Sequence, residues 1–169
     1  MNLKTATLFT ILMVSGTATS GLAQSMGTVT LTIEGEERSI PISGGSEWYG
    51  GENRPYISLD ARALDDNGRE ELVMGLGFDA PRWDASAPEM TLWRFEDGEL
   101  VQRLRAYQEE ERGALTVTLD NHELDGTTLK LTGRLEGTLG TSENRGAEID
   151  LSDGVHVVGT FSVTLEQLD

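Results

Sequence analysis

Apolar residues recur at every second position along most of this chain, in short runs broken by Gly, Asn and Asp. That period of two fixes the fold class more firmly than any other feature. "GTVTLTIEG" sets Val29, Leu31 and Ile33 against Thr28, Thr30 and Thr32, the pattern of a strand with one face on a core. "ERSIPI" follows the "EGEE" turn as its hairpin partner, and Pro41, which has no N–H to give to a ladder, assigns that partner to a sheet edge or a bulge. "YISLDARAL" sends Ile57, Leu59, Ala61 and Ala63 inward and ends in "DDNGREE", where Asn67 and Gly68 suit a tight hairpin turn. "ELVMGLGFDAP" returns from it, with Gly75 and Gly77 on one face, a sign of a bend or of something approaching closely. "EMTLWRF" and "ELVQRLRAY" flank the Asp97–Gly98 turn as the next hairpin. Helical spacing of Leu100, Leu104 and Tyr107 competes over Leu100–Glu111, and the strand is preferred. "ALTVTLD", "TTLKLTGRLEGTL", "AEIDLS" and "VHVVGTFSVTLEQL" complete the series, separated by "NHELDG", "GTSENRG" and "DG".

Strands with turn signals at intervals of about 8 to 12 residues indicate an antiparallel all-β domain. We expect a β-sandwich of about 8–10 short strands, because Pro41 and the long connection "GGSEWYGGENRP" suit open edges and a crossover. An up-and-down, lipocalin-like barrel is the alternative. Trp93 is expected in the core.

The first residues read as a targeting segment. Lys4 precedes the apolar run Ala6–Val14, and small residues up to Ala23 match a processing site. Cleavage there assigns 1–23 to a secretory signal peptide and 24–169 to a single domain. The apolar run is shorter than the roughly 20 residues a bilayer span needs, and with no cysteine in the chain a lipoprotein anchor is excluded. An exported, soluble product is expected, periplasmic or extracellular, held by burial and not by disulfides.

The formal net charge is −16. Such a surface repels phosphate backbones and anionic headgroups, so nucleic-acid and membrane-surface roles are disfavoured. His122 and His156 are the two histidines, neither with a second ligand at metal spacing. No GxSxG elbow is present, and no carboxylate pair stands out among 29 acidic residues. No catalytic residue, cofactor or metal site is therefore assigned. "DDNGREE" and "DNHELDG" are oxygen-rich and could hold calcium weakly, but neither follows the EF-hand order, and both read as hairpin turns.

The aromatic residues outside the cleanest alternation carry the functional reading. Trp48, Tyr49 and Tyr56 lie in "SGGSEWYGGENRPY", and Trp83 in "APRWDASAP". With Arg54, Arg82, Asn53 and Asp84 they form a binding platform if the two segments meet at one end of the sandwich, since flat apolar faces ringed by polar groups suit sugars and peptides. If Trp48 and Trp83 instead fold back over the core, they are lids. The expectation is a non-catalytic exported binding module for carbohydrate or peptide. The alternatives are a small barrel that holds an apolar ligand or inhibits a protease, and an envelope module pairing with a protein partner through its strand edges.

Overall fold

The computed structural model describes residues 26–168, so the expected signal segment lies outside the described residues. Among these the chain forms ten strands: β1 (Met26–Ile33), β2 (Glu36–Pro41), β3 (Glu47–Gly51), β4 (Arg54–Leu64), β5 (Glu70–Asp79), β6 (Ser86–Glu96), β7 (Glu99–Tyr107), β8 (Thr116–Asp125), β9 (Thr128–Thr141) and β10 (Asp150–Gln167). Two 3-10 turns, Pro81–Trp83 and Glu110–Arg112, are the only helical pieces among them. The fold is all-β. No helix of the described residues is long and apolar enough to cross a membrane.

All ten strands belong to one sheet, and its antiparallel pairings run in two layers, β2-β1-β10-β9-β8 and the meander β3-β4-β5-β6-β7. Two corners join them. At one, β3 runs parallel beside the end of β10, with Glu47 and Trp48 opposite Glu166 and Gln167. At the other, Arg105 of β7 pairs with Gly140 of β9. Pairing therefore runs right round the molecule, as in a barrel. Pro41 sits in β2, the outermost strand of its layer, where its missing N–H leaves no ladder bond unmade.

The inward positions make one core. Val29, Leu31, Ile57, Leu59, Met74, Leu76, Phe78, Leu92, Leu104 and Leu165 are all at most 1% exposed. Phe78 of β5 meets Phe161 of β10 across the layers, with ring centroids 6.3 Å apart. Gly133 makes room for this pair, because a Cβ there would collide with the Phe161 ring and the Thr118 carbonyl.

The alternation misleads where both parities carry apolar residues. Trp93 is not in the core: Met90 and Leu92 take the inward positions of β6, which turns Trp93 to the outer face opposite Val73 and Arg103. There the Arg103 guanidinium lies 5.0 Å from its ring centroid. Leu100–Glu111 is strand as far as Tyr107, after which one 3-10 turn ends at Gly113 with φ 115°. The "DG" between "AEIDLS" and "VHVV" does not end a strand, since β10 continues through it with a register shift between Asp150 and Val155.

"DNHELDG" is a hairpin turn only at its end, where Gly126 leads from β8 into β9. β8 runs through it to Asp125, with a bulge between Leu119 and Asn121 that shifts the alternation, leaving Leu124 partly buried and His122 on the same parity but exposed. "DDNGREE" is a turn as expected: the Asp65 carboxylate accepts the N–H groups of Asn67 and Arg69 at 2.8 and 2.9 Å. These bonds, the Arg69 N–H foremost, hold Asp65 down at a pKa of about 2.

Candidate binding end

The segment "SGGSEWYGGENRPY" divides into a crossover and a hairpin. Its first half carries the chain from β2 to β3 and is pinned to Asp60 of β4. The Ser46 hydroxyl accepts the Asp60 N–H at 2.7 Å and donates to its carbonyl at 2.8 Å, and the Ser43 hydroxyl donates to the Asp60 carboxylate at 2.8 Å. The second half is β3, the Glu52–Asn53 turn and the start of β4. The expected long connection is therefore shorter than the sequence suggests, because Glu47–Gly51 pair along Arg54–Ser58.

Alternation within β3 separates its two aromatics. Trp48 points inward and is 2% exposed, with its indole N–H donating to the Thr127 carbonyl at 2.9 Å. It belongs to the core and leaves the candidate binding set. The physical reason is the corner: β10 runs alongside Trp48, and the Leu168 N–H bonds to the Trp48 carbonyl at 2.9 Å. Tyr49 points outward, 42% exposed, and stacks on Tyr56 of β4 at 4.8 Å between centroids. The Tyr56 ring extends over Gly77, where any Cβ would strike its hydroxyl. That contact explains one of the two same-face glycines. Tyr56 also reaches Glu89 at 3.4 Å, and partial burial, followed by the Glu89 charge, raises its pKa to about 12.

"APRWDASAP" does meet the β3–β4 turn. The Ala80 N–H bonds to the Pro55 carbonyl at 2.8 Å and the Arg82 N–H to the Asn53 carbonyl at 2.9 Å. Between β5 and β6 the backbone turns through two consecutive left-handed residues, Arg82 at φ 55° and Trp83 at φ 65°. For residues with a side chain this conformation costs about 1–2 kcal/mol each. Its effect is to fold the Trp83 ring back against His122 of β8, with centroids 4.2 Å apart and planes 13° from parallel.

Trp83 is half-buried and packs on the edge of the core, so it is part lid and part surface. Beside the stack lies a notch of about 310 Å³ lined by Glu52, Asn53, Trp83, His122 and Leu124. Arg54, Arg82 and Asp84 are exposed around this end. The side chains of Glu52, Asn53, Arg54, Arg82 and His122 have no hydrogen bond or ion pair with other described residues. Donors, acceptors and an aromatic edge thus converge on a small opening with their polar atoms directed to solvent.

Sequence reading missed His122, Glu52 and Leu124 as members of this site. One signal for His122 was present: Leu119 and Leu124 stand five apart, an odd interval that breaks the period of two and marks the bulge. Among the described residues no group of His, Asp and Glu is arranged to hold a metal ion. Comparison with protein-family models, with curated proteins and with solved structures gave no match to this chain.

Proposed function

We propose that this protein is an exported, non-catalytic binding module that holds a carbohydrate at the end formed by the β3–β4 turn, the β5–β6 connection and β8. One observation carries the reading. Two strained, consecutive left-handed residues hold Trp83 against His122 beside polar side chains that bond to no other described residue. Strain of this kind concentrates where a ligand clamp is pre-organised.

The chemistry suits a sugar. The Trp83 and His122 rings offer apolar surface to the C–H face of a pyranose, while Asn53, Glu52 and Arg82 offer the amide, carboxylate and guanidinium that hydroxyl groups bond. A notch of about 310 Å³ fits one or two sugar units and not a large apolar ligand. Tyr49 and Tyr56, on the outer face of the same hairpin, extend the aromatic surface for a longer chain. Export rests on the N-terminal segment, and a net charge of −16 directs the module away from anionic polymers.

The test is a glycan array probed with the wild-type protein, Trp83→Ala and Tyr49→Ala. The reading expects a defined set of neutral or basic glycans to bind, Trp83→Ala to abolish that binding, and Tyr49→Ala to weaken it only for longer chains. Absence of any glycan signal, or a signal that survives Trp83→Ala, overturns it.

A further inference from the structure

A second opening lies away from the Trp83 end, where the two layers part. β2 and β4 are joined by one bridge, Ile42 to Ala61. Beyond it β2 runs back to Glu36 paired only with β1, and β4 runs on to Leu64 paired only with β5. Two strand edges therefore diverge with unpaired backbone groups facing one another. Between them is a cavity of about 470 Å³ with Ile33, Leu64, Leu72 and Phe95 among its lining. Leu64 is 56% exposed there, a large apolar side chain left in water.

The charges at this opening are unequal. Arg38 bonds to Glu36 and to Glu71 across the gap, each at 3.1 Å. Arg94 bonds to Glu34 at 3.1 Å and to Gln102 at 3.3 Å. Both guanidinium groups are thus occupied by the fold's own acceptors. Glu96 lines the same cavity and has no cationic partner among the described residues. With Glu34, Glu36, Glu71 and Glu96 against Arg38 and Arg94, the opening carries a formal excess of two negative charges.

We propose that this wedge docks an extended peptide segment of a partner protein, one that alternates basic and apolar side chains. Its backbone adds to the unpaired edge of β4 or β2, the β-augmentation mode in which main-chain bonds give affinity and alternate side chains give specificity. Apolar side chains on one face of the added strand cover Leu64 and Phe95, while basic ones on the other meet Glu96 and the remaining lone pairs of Glu34 and Glu71. A second copy of this chain is disfavoured as the occupant, because its charge of −16 brings an acidic surface to an acidic opening.

The experiment measures fluorescence anisotropy of a labelled peptide of alternating Lys and Val, its Glu–Val counterpart, and the Lys–Val peptide with alternate backbone nitrogens methylated. The proposal expects the Lys–Val peptide to bind at least about tenfold more tightly than the other two, with affinity falling as salt rises. Leu64→Lys, a change at an exposed site whose fold is checked by circular dichroism, is expected to weaken it by a further factor of about ten, with Glu96→Gln weakening it less. Equal binding of the methylated peptide would mean that charge alone attracts it, and would overturn the proposal. So would equal binding of the Glu–Val peptide, or an affinity that Leu64→Lys leaves unchanged.

Discussion

Trp48 and Trp83 come from sequence surroundings of the same kind, Gly-, Pro- and Ser-rich stretches between strands, yet they do different work. Trp48 lies in a strand whose neighbours on both sides are paired, its ring in the core and its N–H bonded to Thr127. Trp83 lies in a loop, held by unfavourable backbone angles against one exposed histidine, with no bond from its indole N–H to another described residue. The first is stabilised by its position and the second is held in place at a cost. Trp83, the proposed ligand-holding residue, differs from Trp48 in what holds its backbone, and only partly in how much of its ring is buried.

Substitutions separate the two. Trp48→Ala removes a fully packed indole and leaves the Thr127 carbonyl without its donor, so unfolding in urea is expected to show a loss of about 3–5 kcal/mol. Trp83→Ala removes a half-buried ring whose strained backbone then relaxes, and the same assay is expected to show a loss of about 1–2 kcal/mol while glycan binding disappears. Losses of equal size would remove the distinction. Smaller still is Arg82→Gly. Glycine adopts the left-handed angle without the Cβ penalty, so the midpoint of thermal unfolding is expected to hold or rise, by up to about 1 kcal/mol in stability. Binding is nevertheless expected to weaken, because the Trp83 ring is no longer held firmly. A clear fall in stability would show that the guanidinium supports the fold.

The outer stack of Tyr49 and Tyr56 offers the mildest test, one that leaves the fold intact. Burial raises the Tyr56 pKa to about 12. A folded-state pKa above the ordinary value of about 10 means that this contribution is complete below pH 10 and is lost as pH rises through 12. In an absorbance titration at 295 nm, one of the three tyrosines is expected to ionise late, and Tyr56→Phe is expected to remove that step. Three overlapping steps near pH 10 would place Tyr56 in open water.

The strands were legible because β-layers with one wet face write their alternation into the chain, and β1, β4, β5 and β9 follow it closely. The errors fall where something other than period decides. Trp93 was misplaced since Leu92 and Trp93 are both apolar and only the register with β5 tells them apart. β3 was read as loop because its pairing partners, β4 and the end of β10, supply what a five-residue run rich in glycine cannot show. The meeting of "SGGSEWYGGENRPY" with "APRWDASAP" was anticipated, but the pairing of Trp83 with His122 depends on a bulge and on two left-handed residues, and no local propensity announces those. The wedge between β2 and β4 depends on where two layers part, which is a property of the whole topology.

The three tryptophan indole N–H groups give separate signals in a nitrogen-15 spectrum, and they test the contrast between Trp48 and Trp83 directly when a binding glycan is titrated in. The Trp83 signal is expected to exchange fastest with solvent and to shift progressively with ligand, while the Trp48 signal, bonded to Thr127, stays protected and in place. A protected Trp83 signal that ignores the ligand, or a Trp48 signal that moves with it, would contradict the account.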